Sequence, residues 1–278
     1  MKGERCIDAI LLERVKKFLI ILLVVIAAAF IVITFTSVKQ DEIPIREIPE
    51  KTIEDNETSP VVPLVSNPQV SQRPVLKNLG VNIEAWNKQT NLAGDLMFDK
   101  RVIYDDGRVA GDKVFLDFGM KDKYRTSNAS NVEYWFYVPL GTNVRAPIDG
   151  TVKVDFFAHT QDWGVSMVPK GSSWIVSFEH LVNLKVKEGD VVKVGDLLGE
   201  AAPRISNAIA MVELAVWTGG QSIIKYCPFS FLDESLKPIY GEKLRQLARD
   251  WELFAGMDVY REENWVLPGC LVDKIIEN

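Results

Sequence analysis

The strongest pattern in the chain is an apolar run near its start. Phe18 to Phe35 is eighteen residues whose only polar member is Thr34. As a helix it spans about 27 Å at ~1.5 Å per residue, close to the hydrocarbon thickness of a bilayer. The run continues to Val38, so a tilted helix over Phe18–Val38 is predicted. Lys2, Arg5, Arg14, Lys16 and Lys17 stand before it, and Lys39, Asp41 and Glu42 follow. The positive-inside rule then puts the N-terminus, residues 1–17, in the cytoplasm and the rest outside. A cleaved signal peptide is the competing reading. The run is longer than a typical h-region and no small-x-small site follows it at Phe35–Lys39, so an uncleaved anchor is expected.

From residue 39 to 75 the pattern is lost. Six of the thirteen prolines fall here (Pro44, Pro49, Pro60, Pro63, Pro68 and Pro74), among Glu, Ser, Thr and Asn. Such a stretch buries too little apolar surface to offset its ordering entropy, and it reads as a tether. Beyond it, short apolar runs broken by Gly, Pro, Asp and Asn predict a β protein. Leu96–Tyr104 and Val109–Phe118 flank the turn signal Asp105-Asp106-Gly107, which predicts a hairpin. Tyr134–Val138, Thr151–Phe157, Val165–Val168, Trp174–Phe178, Val191–Val194 and Val212–Trp217 read as further strands. Asp233–Phe254 has helical periodicity in its later part, with Pro238 and Gly241 dividing it into two pieces. The expected fold is mainly β, an antiparallel sheet or sandwich with a C-terminal helical segment over 233–278. A β-rich extension over 76–130 precedes the principal domain at 131–232.

Composition narrows the chemistry. A net charge of −6 leaves no basic excess to neutralise phosphates, so nucleic-acid binding is not expected. Cys6, Cys227 and Cys270 have no metal-ligand spacing. Cys227 and Cys270 lie beyond the anchor, and the sequence leaves open a bridge between them or two buried thiols. His159 and His180 are the only two histidines, which limits every metal hypothesis. His159, beside Gln161 and Asp162, reads as a loop residue.

Three stretches then stand out. Val138-Pro139-Leu140-Gly141-Thr142-Asn143-Val144-Arg145-Ala146-Pro147-Ile148-Asp149-Gly150-Thr151-Val152 alternates valines with tight-turn residues. Phe178-Glu179-His180-Leu181 precedes Val186 to Gly199, with its two Gly-Asp steps. Ala210-Met211-Val212-Glu213-Leu214-Ala215-Val216 is followed by Cys227-Pro228-Phe229-Ser230-Phe231-Leu232. Together they resemble the M23 (LytM-type, duplicated hybrid motif) peptidases over residues 131–232. The family patterns are "P-x-G-T-x-V-x-A-P-x-D-G-x-V", "Y-x-H-L", "H-x-H-F-E-V" and "N-P-x-x-F/Y-L". The resemblance implies an antiparallel core with a groove.

It also implies a zinc site, built from "H-x-x-x-D" and the second His of "H-x-H", with two further histidines activating water. On this chain those positions fall on Asn131, Trp135, Met211 and Glu213, and only His180 keeps its family identity. Four of the five positions are replaced, and no zinc is expected. Glu213, with Glu133 or Asp117 approaching, is the remaining weak metal candidate beside His180. Otherwise His180 and Glu213 form a His–carboxylate pair lining the old groove, with Met211 and Trp135 filling the space of the metal. Trp135, Trp163, Trp174 and Trp217 either pack the core or line a sugar-binding groove.

The expected function is that of a non-catalytic binding, scaffold or hydrolase-regulating module at the cell envelope, its groove holding a peptide, a glycan or a protein segment. The alternative is a divergent zinc metallopeptidase using His180 and Glu213. A biotinyl-type carrier is disfavoured, because valine stands at 212 where such domains present lysine. Leu236 to Asn278 carries no motif, and its Trp251, Phe254, Tyr260 and Trp265 suit either a cover for the β domain or a partner surface.

Overall fold

The computed structural model describes residues 72–103, 112–121, 130–206 and 209–277. The expected cytoplasmic stub, the membrane helix Phe18–Val38 and nearly all of the tether lie outside them. Among the described residues no helix is long and apolar enough to cross a membrane.

Fourteen strands follow in chain order among these residues: β1 (Leu92–Ala93), β2 (Leu96–Met97), β3 (Phe115–Leu116), β4 (Tyr134–Pro139), β5 (Asn143–Arg145), β6 (Gly150–Phe157), β7 (Asp162–Val168), β8 (Trp174–Val182), β9 (Val191–Val192), β10 (Leu197–Ala201), β11 (Pro203–Ser206), β12 (Ile209–Thr218), β13 (Ile223–Tyr226) and β14 (Lys274–Glu277). β1 and β2 pair with each other, and the other strands join one 12-stranded sheet. Its main path runs β14-β13-β12-β8-β7-β6-β9, with every strand pairing antiparallel. β12 lies at its centre. Seven of the eight residues of Ile209–Val216 are apolar, the exception being Glu213, and the stretch is buried throughout, as a strand covered on both faces requires.

The region from β4 to β12 follows the sequence pattern closely. The predicted strands at 134–138, 151–157, 165–168, 174–178, 191–194 and 212–217 all appear, mostly longer than expected. The predicted Leu96–Tyr104/Val109–Phe118 hairpin does not. β2 stops at Met97, and Lys100–Ile103 is a helical turn whose start is held by Asp99, which accepts from the Arg101 backbone N–H at 2.8 Å. Strand propensity there is overridden by local side-chain capping. The turn signal at 105–107 lies outside the described residues.

The C-terminal region is also corrected. Lys237–Ala255 is one helix of 19 residues, not two pieces. Pro238 stands in its first turn, where no hydrogen-bond donor is lost. Gly241 is buried inside the helix, where Phe229 and Pro268 pack close to it. Gly256 ends the helix in the left-handed conformation at φ 71°. After it the chain returns to the sheet as β14, so 233–278 is not helical throughout.

These residues cover the β domain. Trp251 is fully buried against Phe98, and its indole N–H donates to the Asp112 carbonyl at 2.8 Å. Tyr260 stacks on Phe115 and exchanges two hydrogen bonds with its backbone. Trp265 donates to Asp117 at 2.8 Å. A disulfide joins Cys227 to Cys270 across 43 residues, closing the alternative that the sequence left open.

Candidate functional site

The site lies where β12 changes neighbours. On one side, Ile209–Leu214 pairs with β4 and Val216–Thr218 with β13. On the other, Glu213–Thr218 pairs with β8. Glu213 therefore faces Trp135 across one strand boundary and Glu179 across the other. Just past Glu179 the register between β7 and β8 shifts, and β8 leaves β12 to pair with β10. His180 sits in that irregularity with φ 64°, a conformation that costs a non-glycine residue and that glycine adopts freely.

The bulge turns the His180 ring into the sheet. Its Nδ1 lies 2.7 Å from Asp162 Oδ2 and its Nε2 lies 3.2 Å from Glu213 Oε1. Asp162 also accepts from the Thr160 hydroxyl. All three members of this row are buried: His180 at 6 %, Asp162 at 2 % and Glu213 at 5 % exposure. Both ring nitrogens thus face carboxyl oxygens, so any N–H the ring carries has an acceptor.

The row continues beyond Glu213, whose carboxyl is in hydrogen-bond contact with Glu133. Glu133 also accepts from Trp135 Nε1 at 3.3 Å and from Lys225 Nζ at 2.9 Å. Burial pushes the Glu133 carboxyl up, but the Glu213 hydrogen bond and the Lys225 ammonium together hold it below the usual range. Burial works against the Lys225 charge, and Glu133, followed by Glu179 and Glu277, more than offsets it, so the ammonium is held more firmly than in water. Glu179 is pushed up to about 7, chiefly by burial and then by the Glu133 charge, with Asp162 and Asp155 adding and Lys225 opposing. The result is a continuous polar row, Thr160–Asp162–His180–Glu213–Glu133–Lys225, with Glu179 beside it.

The expected His180–Glu213 pair is present, with buried Met211 two residues before Glu213 on β12 and Trp135 opposite Glu213 on β4. Asn131 is elsewhere in purpose. Its amide N–H groups donate to the carbonyls of Asp117 and Glu133 at 2.9 and 2.7 Å, bracing the approach to β4. Asp117 does not join the site; it pairs with Lys113 at 2.7 Å under the Trp265 indole. Glu133 does approach. His159 is an exposed turn residue between β6 and β7. Trp217 donates to Ser177 at 3.1 Å, while Trp174 packs on Tyr226 and Phe231 and Trp163 on Phe156. Sequence reading missed Asp162, Glu179 and Lys225 as site residues. The signal for Glu179 was its place beside His180. Asp162 and Lys225 come from other strands, and only the register brings them in.

Residues 134–224 match the model of Peptidase family M23. The chain thus carries an M23 peptidase-like domain. Similar solved structures include lysostaphin from Staphylococcus simulans, 17% identical, with a TM-score of 0.34, covering 38% of this chain and 43% of that one. LytU is 20% identical with a TM-score of 0.35, covering 50% and 90%. The catalytic domain of the prophage-encoded M23 protein EnpA from Enterococcus faecalis is 20% identical with a TM-score of 0.32, covering 38% and 82%. This chain spans less than half of the lysostaphin chains it matches, 42% and 43% of their length. No curated protein matches.

The family implies zinc, and the residues at its ligand positions do not fit it. Asn131 offers only a neutral amide oxygen, buried and without a hydrogen-bond partner among the described residues, Trp135 offers only a donor, and Met211 is a buried thioether. What remains is Glu179, His180 and Glu213, whose ligand atoms lie within 4.8 Å of one another. That set has one nitrogen donor, already set between Asp162 and Glu213, and its Glu213 is engaged with Glu133 as well. Zinc favours sites richer in nitrogen or sulfur and needs its ligands deprotonated.

Proposed function

We propose that this M23-like domain is a non-catalytic binding or hydrolase-regulating module at the cell envelope, held outside the cytoplasm by the Phe18–Val38 anchor. The observation that carries the reading is the engagement of Glu213, whose carboxyl is taken by His180 on one side and Glu133 on the other. The groove of a hydrolase needs an open metal position and a free base. Here the equivalent groups satisfy one another. The Cys227–Cys270 bridge supports the compartment, because structural disulfides persist where the surroundings are oxidising. The bound species would be an envelope peptide, glycan or protein segment.

The test is incubation of the purified chain with cross-linked peptidoglycan and with a synthetic wall peptide, with zinc and with chelator. No cleavage in either condition is expected. Zinc-dependent cleavage that chelator abolishes would overturn the reading. It would favour the second one, a divergent metallopeptidase, for which the proximity of Glu179, His180 and Glu213 speaks.

A further inference from the structure

The misfit between this donor set and zinc raises a physical problem. Glu133, Glu179, Glu213 and Asp162 bring four carboxyl groups into one partly or fully buried patch. In a metal-binding groove a divalent cation balances such charge. Buried carboxylates without a counter-charge are expensive.

We infer that Lys225 is the chain's own replacement for that cation, its ammonium neutralising the Glu133–Glu213 carboxyl pair so that the groove keeps its shape with no metal. Lys225 projects from β13, opposite Trp217 of β12, and so reaches the site from a strand that pairs with β12 only after Glu213. Its Nζ lies 2.9 Å from Glu133 Oε1, with side-chain exposures of only 12% and 7%. Its Nζ also lies 5.7 Å from the Trp217 ring centroid, a position favourable to a cation. Trp217 is held in turn by Ser177. The ammonium is thus placed by two neighbouring strands rather than by a flexible stem in solvent. Its neighbours Glu179 and Glu277 add further negative potential.

The inference rests on the non-catalytic reading but fails separately: cleavage activity decides the first, and the stability measurements below decide the second. The full chain is unfolded thermally with added zinc, with chelator and with neither, alongside Lys225→Met and the double variant Lys225→Met/Glu133→Gln. For the unsubstituted chain, zinc and chelator are expected to leave the midpoint unchanged within about 1 °C, since a ligand that does not bind the folded state does not shift it. Lys225→Met is expected to lower the midpoint by roughly 10 °C, the size of effect that follows from leaving a buried carboxylate without its partner. The double variant removes both halves of the pair and is expected to recover most of that loss. If Lys225→Met does not fold, recovery of a folded double variant reads the same coupling. A midpoint raised several degrees by zinc in the unsubstituted chain would overturn the inference. So would a Lys225→Met variant as stable as its parent, or one that Glu133→Gln does not restore.

Discussion

His180 holds its ring on a backbone at φ 64°, which costs a non-glycine residue on the order of 1–2 kcal/mol. The cost is tolerated because the bulge aims both ring nitrogens at buried carboxyls. Two substitutions separate the backbone from the ring. His180→Ala and His180→Gly both strand Asp162 and Glu213, but alanine also keeps the strained conformation. His180→Ala is therefore expected to be less stable than His180→Gly by about 1 kcal/mol in denaturant unfolding; equal stabilities would show that the backbone is unstrained. Glu179 gives a pH signature. Its folded-state pKa is raised to about 7 by burial and by Glu133, Asp162 and Asp155, against Lys225. The folded state therefore holds that proton more tightly than the unfolded chain. The contribution is complete below about pH 4.5 and is lost as pH rises through 7, up to about 3 kcal/mol in all. Between pH 5 and pH 8, Glu179→Gln is expected to lose less stability than its parent. Parallel pH profiles would contradict the assignment. His180 and Glu213 were legible in the sequence because they stand inside family motifs. Lys225 and Asp162 were not, because nothing in local sequence states which strands will be neighbours.

At the scale of elements, the strands around the motifs were legible because alternation and Gly/Asp turns agree there. β6 is the clear case: Val152 points inward, Thr151 and Lys153 outward, and Asp149-Gly150 marks its start. The region before β4 was misread, since capping by Asp99 makes a helical turn of Lys100–Ile103, a stretch whose apolar residues suggested a strand. Pro238 and Gly241 misled in the other direction. A proline in a first turn and a glycine at a close helix contact are both compatible with one continuous helix. Gly80 illustrates a packing demand that only the fold reveals. Its φ is 82°, and a Cβ there would lie 2.1 Å from the Phe178 ring, two residues before His180. Gly80→Ala is expected to destabilise the domain by about 2–4 kcal/mol in chemical unfolding. A change under 0.5 kcal/mol would mean that this segment does not press on β8.

At the scale of the whole molecule, the C-terminal region serves as a cover, with its buried aromatics turned inward on the N-terminal extension. The sequence allowed that role and a partner surface equally, because aromatic content says nothing of which side an aromatic faces. Trp251, fully buried against Phe98, is expected to cost about 3–5 kcal/mol on replacement by alanine. The disulfide closes a loop of 43 residues. In the chain-entropy treatment that is worth about 4 kcal/mol, so reduction is expected to lower the unfolding midpoint measurably, and an unchanged midpoint would show that packing alone holds this end of the sheet. The most direct measurement of the metal-free groove is the zinc content of the purified full chain by elemental mass spectrometry, after stoichiometric zinc and desalting. Near-zero zinc is the expected result. One zinc per chain, lost on His180→Ala or Glu213→Gln, would contradict it.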